Sequence, residues 1–272
     1  FVLLNIEDLK ELSFENLTSQ DKWILTKYEN IVKSSIKHMD NYEFNIFGAE
    51  TYNFIYDDFC SNYIEFAKFN SESKTTKSVL CMILTGILKM LHPFMPFVTE
   101  EIYQMLPIKD AESIMISEYP KYNDEYIFNE DKELIDKVIE YISLFRNKKL
   151  ENNVGSDFEV VTNIDNELIL KMLKLEDKKV ETSTLKGSVL VSLGDFELTI
   201  YYDNSKQKSE ELDNLLKEKE TLENSIARRS RLLANENYVA KAPEKIVNAE
   251  RDNLKSEQEK LDVVLKRLEE IK

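Results

Sequence analysis

The sequence predicts a mostly α protein: a helical bundle over residues 1–152, a small α+β connector over 153–204 and an antiparallel coiled-coil hairpin over 205–272. Three observations predict it. Only 5 Gly and 5 Pro stand among 272 residues, which argues against sandwiches, barrels and glycine-cradled nucleotide folds. Charged residues reach 32%, above the usual share of about a quarter, as long helices with wet faces require. From about Ser209 onward, apolar residues recur at alternating spacings of three and four. The 42% hydrophobic content excludes a disordered tail.

Phe1-Val2-Leu3-Leu4 is an apolar run with no cap before it. It reads as the tail of a helix begun upstream, so the chain is expected to be an excised C-terminal piece. Thr18-Ser19-Gln20-Asp21 reads as a helix start, with a hydroxyl three residues before an acid that reaches back to it. Behind it Leu25, Tyr28, Val32, Ile36 and Met39 recur at helical spacing. Phe44 to Phe66 reads as a second helix, rich in aromatics (Tyr52, Phe54, Phe59, Tyr63, Phe66). A third, from about Ser73 to Leu91, is apolar round most of its circumference and is therefore central. It stops at His92-Pro93, because a residue before proline avoids helical geometry. Pro96 suits the first turn of a short helix carrying Thr99, Glu100 and Glu101. After a loop with Pro107 and Pro120, Asn129 reads as the cap of a helix with Leu134, Val138, Tyr141 or Ile142, and Phe145 on one face.

The texture changes near Gly155. Residues 158–162, 180–182, 188–193 and 196–202 read as strands and 165–175 as a short helix, with Gly194-Asp195 as a hairpin turn. In the helical hairpin beyond them, Leu212, Leu215, Lys219, Leu222, Ile226, Arg229 and Leu233 form one seam. Past a turn at 235–242, Val247, Leu254, Leu261 and Leu268 form its partner, with Val264 and Ile271 beside them. Two helices of similar length joined by so short a turn fold back on each other.

Charge is unevenly distributed. The formal net charge is -15, yet residues 205–272 hold 15 basic and 15 acidic side chains, so the whole excess lies in 1–204. Within 228–245 five cations (Arg228, Arg229, Arg231, Lys241, Lys245) face two acids (Glu236, Glu244). Taken whole, the chain does not read as a basic nucleic-acid binder, and no DNA partner is expected. Cys60 and Cys81 lie in apolar helical stretches and read as reduced, buried thiols of a cytoplasmic protein. No run of ~18 apolar residues offers a membrane span, so none is expected, and with no basic-then-apolar stretch at its start a signal peptide is not expected either. His38, Cys60, Cys81 and His92 have no metal-ligand spacing, and no phosphate loop or catalytic constellation occurs. The expectation is therefore no catalytic residue, no metal and no cofactor in this chain.

Two strings are more distinctive than composition requires: Tyr56-Asp57-Asp58-Phe59-Cys60-Ser61-Asn62-Tyr63-Ile64-Glu65, and Leu91-His92-Pro93-Phe94-Met95-Pro96-Phe97-Val98-Thr99-Glu100-Glu101-Ile102-Tyr103. As packing alone, the second is a helix-to-helix corner in which two prolines fix the backbone and aromatics fill the gap. It also resembles the anticodon-binding bundle of class I aminoacyl-tRNA synthetases for valine, isoleucine and leucine. Phe-Cys-x-x-Tyr-Ile-Glu and the opening Phe-Val-Leu-Leu narrow the resemblance to the valyl-tRNA synthetase family. Asn237-Tyr238-Val239-Ala240-Lys241-Ala242-Pro243-Glu244 is similar to the tip of that family's C-terminal arm, which the other two lack. The resemblance is weakest over 150–205. There the family carries an Arg-rich segment and a proline stretch, whereas this chain has Phe145-Arg146-Asn147-Lys148-Lys149 and no proline.

The resemblance implies a tRNA-binding part of a valine–tRNA ligase, acting as a monomer. ATP-dependent activation of valine would belong to a catalytic domain whose two signature motifs this chain lacks. Valine anticodons share a central adenine, which offers an exocyclic amine and ring-nitrogen acceptors. By position in the motif, Phe1 would stack on an anticodon base. Ile64 and Glu65 would line its pocket, with Glu65 or a nearby carbonyl accepting from the amine. Lys22, Lys27 and Lys68 are candidates for phosphates. At the tip, Arg228, Arg229, Arg231, Tyr238, Lys241 and Lys245 would meet the outer elbow of the tRNA. The alternative is a coiled-coil module that binds another protein beside a helical bundle.

Overall fold

The computed structural model describes residues 1–235, 239–240 and 243–271. Contacts divide them into two units: residues 1–153, 162–179 and 190–198 in the first, and 154–161, 180–189 and 199–272 in the second.

The first unit is built round α2 (Ser19–Asp40) and α5 (Lys74–Leu91). At the start of α2, Thr18 accepts from the Asp21 amide and the Asp21 carboxylate accepts from Thr18, a reciprocal cap that satisfies two otherwise orphaned donors. Asp21 is buried, and its carboxylate also accepts the Tyr63 hydroxyl at 2.6 Å and the Thr76 hydroxyl at 3.4 Å. One carboxylate thus joins the start of α2, the chain at Tyr63 and the first turn of α5. Farther along, α2 and α5 approach closely because Gly86 has no Cβ: one built there would lie 2.0 Å from the Tyr28 hydroxyl. Trp23 is fully buried and donates its indole N–H to Asp136 at 2.9 Å, tying α2 to α7 (Asn129–Glu151).

A short α1 (Val2–Ile6) precedes α2, and α6 (Pro96–Gln104) follows α5 with Pro96 in its first turn, as the sequence implies. His92 Nδ1 lies 2.7 Å from the Thr99 hydroxyl, bracing this corner. The aromatics do not fill the corner, however. Phe94 stacks on Phe47 at 5.2 Å but stays 46% exposed, and Phe97 is 90% exposed.

The single helix expected over 44–66 is instead three pieces. These are α3 (Phe44–Asn53), a π-helix (Phe54–Tyr63) and α4 (Ile64–Ala67), closed by a 3₁₀ turn at Lys68–Asn70. In the widened turns Ser61 donates to the Tyr56 carbonyl at 2.7 Å and Asn62 to the Asp57 carbonyl at 2.9 Å. Widening also turns Cys60 outward, so it is exposed and not buried like Cys81. Two smaller corrections concern α7. Phe128, not Asn129, precedes the helix, and Ile135 takes the buried place expected of Leu134, which is 42% exposed.

The connector holds β1 (Phe158–Thr162), α8 (Glu167–Leu173), β2 (Gly187–Leu193) and β3 (Phe196–Tyr202), with strand order β1-β3-β2. Gly194 opens the hairpin turn at φ +59°, a conformation that only glycine adopts without strain. Residues 180–182 form no strand, although the Val180 N–H donates to the Val160 carbonyl at 2.9 Å.

In the second unit α9 (Ser205–Ala234) packs along α10 (Glu244–Ile271). Arg229 pairs with Glu250 and Glu257 while Arg267 pairs with Glu211, so the two helices run antiparallel. Val247, Val264 and Leu268 are buried on the seam read from the sequence.

Two outcomes test this packing. Tyr63→Phe should lose about 1.5–3 kcal/mol in urea unfolding with unchanged m, the usual worth of a hydrogen bond to a charged group. Glu29 supplies a pH test. It is buried, accepts the Asn123 N–H at 2.7 Å, and burial raises its carboxyl above the ordinary range. A raised folded-state value makes the ionised group costly above that value, and the cost vanishes as pH falls to the ordinary carboxylate range. Glu29→Gln should therefore unfold at higher urea than the parent at pH 7, with the gap closing toward pH ~4.

Candidate nucleic-acid interface

The anchor at Tyr63 fixes the position of the next several residues. One residue later the chain enters α4, which carries Ile64 and Glu65, and then the 3₁₀ turn that carries Lys68 and Phe69. Ile64 and Glu65 are half-buried, while Lys68 and Phe69 are exposed. Glu65 Oε1 takes the Lys68 ammonium at 2.5 Å. Its second oxygen is left without a partner among the described residues. Lys68 also stands 5.8 Å from the centre of the Phe1 ring, and that ring is 45% exposed. Lys68 thus brings Phe1 and Glu65 together, although about sixty residues of chain separate the first from the other two; Ile64 takes no part in these two contacts.

Glu65 and Lys68 line an open cleft of about 480 Å³. Ser61, Glu65, Lys68 and Phe69 form one side; Arg146 from α7, with Lys171, Met172 and Lys174 from α8 and its end, form the other. Four cations against one carboxylate line a cleft in a chain whose net charge is -15. Positive charge continues one turn farther along α7, where burial and the neighbouring Lys178 together lower the Lys149 ammonium below its ordinary value. The charge of such a cleft suits an anionic strand, and exposed rings beside cations are the usual means of holding single-stranded RNA.

Arg146, Lys171 and Lys174 are not among the candidates that the sequence singles out. Arg146 stands in the segment that departs from the family pattern, and its neighbours Lys148-Lys149 are the available signal. Nothing local points to Lys171 and Lys174, which meet Lys68 only through the fold. Lys22 and Lys27, by contrast, are engaged inside the bundle. Lys22 pairs with Asp131 at 3.3 Å, and Lys27 lies 3.2 Å from Asp58 and 3.5 Å from Asp136.

In the second unit Arg228 and Arg231 are exposed near the end of α9, and Lys245 is exposed at the start of α10. None of the three makes an ion pair among the described residues. Arg229 differs: its guanidinium, 23% exposed, is held between Glu250 and Glu257. Tyr238 and Lys241 lie outside the described residues. Among those residues no helix is long and apolar enough to cross a membrane.

Comparisons with known proteins agree with this division of features. The family described as the anticodon-binding domain of tRNA ligase matches residues 21–164, and that described as the valyl tRNA synthetase tRNA binding arm matches 209–272. A valine–tRNA ligase of Thermotoga maritima is 33% identical over 96% of this chain and 31% of its own length. One of Staphylococcus aureus is 34% identical over 100% of the chain and 34% of its own length, and one of Staphylococcus saprophyticus 32% identical over 94% and 32%. The chain thus spans about a third of the length of these curated relatives. With the first match spanning more than half of the chain and lying on the cleft-bearing bundle, the chain belongs to the family of the anticodon-binding domain of tRNA ligase, and its antiparallel hairpin matches the valyl tRNA synthetase tRNA binding arm.

Proposed function

We propose that this chain binds a valine tRNA at two places, the anticodon in the cationic cleft and the outer elbow at the tip of the hairpin. It thereby holds the tRNA for aminoacylation by a valine–tRNA ligase. The observation that carries the reading is the gathering of Phe1, Glu65 and Lys68 beside a cleft rich in cations. Phe1 supplies a π-face for one base. The open Glu65 oxygen accepts the exocyclic amine of the central adenine while Lys68 keeps the other, and Ile64 bounds the pocket. An acid that accepts a base-edge donor carries sequence information, whereas cations on phosphates carry none.

The arm is read as a coiled coil, supported by seam spacings of three and four and by the half-buried or buried seam positions. Arg228, Arg231 and Lys245 meet elbow phosphates, with Lys241 and Tyr238 completing the surface. Arg229 serves by holding the hairpin closed. Valine activation with ATP belongs to the part of the ligase beyond the span that this chain shares with its relatives. The protein acts as a monomer in the cytoplasm.

Titration with a valine tRNA and with the same tRNA carrying a changed central anticodon base tests the reading. The cognate tRNA should bind more tightly, and Glu65→Ala should narrow the difference while circular dichroism stays unchanged. Equal binding of both tRNAs by the unsubstituted chain would refute the anticodon site. Replacing Arg228, Arg231 and Lys245 with Gln should weaken both tRNAs alike and flatten the logarithmic salt slope by roughly 0.7–0.9 for each phosphate no longer neutralised. If affinity and slope are unmoved, the tip does not touch RNA, and a protein partner for the hairpin becomes the better reading.

A further inference from the structure

The cleft holds a second aromatic–cation pair that the family motif does not include. Phe69 is 41% exposed, and the Lys171 ammonium lies 5.9 Å from its ring centre. The arrangement repeats that of Phe1 and Lys68, at 5.8 Å, with Lys68 and Phe69 side by side in one 3₁₀ turn. Both pairs present a ring flanked by an ammonium, as a nucleotide with its base stacked and its phosphate neutralised requires.

We propose that Phe69, Arg146 and Lys174 form a second nucleotide subsite: Phe69 stacks a base of the single-stranded loop, and Arg146 and Lys174 hold the phosphate beside it. This rests on the tRNA-binding reading of the same face. The division of labour among the cations arises from their partners. Lys171 is held by Glu167 at 2.5 Å and caps the ring. Arg146 and Lys174 are exposed, line the cleft and make no ion pair among the described residues. Lys174 adopts φ +54°, where glycine or asparagine is the usual occupant of a helix end, so the ammonium is kept there at the cost of backbone strain.

The acids nearby bound the site. Glu176 and Asp177 line the adjoining depression with Phe69, Lys171 and Lys174. They repel a phosphate from that outer end and leave the Arg146 side as its place. Glu65 lies on the opposite side with Lys68. A strand entering the cleft therefore lays one base on each ring and a phosphate between them, on the side of α7.

The test uses the whole chain and an anticodon stem-loop RNA of a valine tRNA, with one loop base at a time replaced by 2-aminopurine. Stacking quenches its fluorescence. In the unsubstituted complex two loop positions should be quenched by the protein. Phe69→Ala should release one of them and weaken binding by about five-fold or more, whereas Phe1→Ala should release the other. Phe69→Leu keeps apolar bulk without a π-face and should behave like Phe69→Ala, which separates stacking from loss of fold. Arg146→Gln with Lys174→Gln should flatten the salt slope by roughly 0.7 for each phosphate no longer neutralised, as for a single strand. If the unsubstituted chain does not bind the RNA, the tRNA reading falls and the subsite with it. If it binds, and the Phe69 variants leave both quenching and affinity unchanged, the subsite alone is overturned. Release of the same base by Phe1→Ala and Phe69→Ala would mean a single platform and would also overturn it.

Discussion

The buried Asp21 carboxylate is the interaction on which the bundle depends. A charge removed from water must be met by donors, and here three hydroxyls and a main-chain N–H supply them. No cation takes part among the described residues, so the geometry is set by directed bonds, the Tyr63 hydroxyl at 2.6 Å the shortest, instead of a diffuse attraction. The donors come from three places: the cap of α2, the end of the π-helix and the first turn of α5. Apolar packing alone leaves helices free to slide by small amounts, because burial is roughly proportional to area and has no direction. The carboxylate removes that freedom at the one point where three elements meet.

That constraint acts directly on the interface. The π-helix is a costly form, and it delivers Tyr63 to Asp21 with Ile64 and Glu65 immediately after it. Its loosened carbonyls are occupied by Ser61 and Asn62, so the widened turns need no neighbour to satisfy them. The candidate side chains Ile64 and Glu65 thus sit on a stub whose position is set from inside the bundle. Binding groups on such a stub lose little conformational freedom when RNA arrives.

Features set by near neighbours in sequence are legible in it. The cap at Thr18–Asp21, the apolar girth of α5, the proline at the start of α6 and the seam of the hairpin all appear as read. The π-helix leaves only a trace: buried Phe54 and Phe59 are five apart, too far for one α-helical turn, and Tyr63 comes four later. Leu134 and Ile135 both fit helical spacing, and only the neighbours across the interface decide that Ile135 is the buried one. Phe1 and Glu65 enter through the family motif and Lys68 as a candidate for a phosphate, and Lys68 proves to stand beside both. Arg146, Lys171 and Lys174 are beyond the reach of sequence, since a cleft lined by α4, α7 and α8 is a product of tertiary folding with no local pattern.

The Arg229 fork has a consequence for how the hairpin measures length. Leucines repeating every seven residues are indifferent to a shift of one repeat, because each meets another of its kind. Glu250 and Glu257 are themselves one repeat apart, and Arg229 spans both. Sliding the helices by seven residues either way would leave the guanidinium with one carboxylate instead of two. Ser225, which also donates to Glu257 at 3.0 Å, would lose its acceptor in the direction that brings Val264 to that place. A charged cluster on an otherwise repetitive seam therefore works as a vernier, admitting one alignment of α9 on α10. With α9 some 30 residues long, or roughly 45 Å, the exposed arginines at its far end are held at a defined reach.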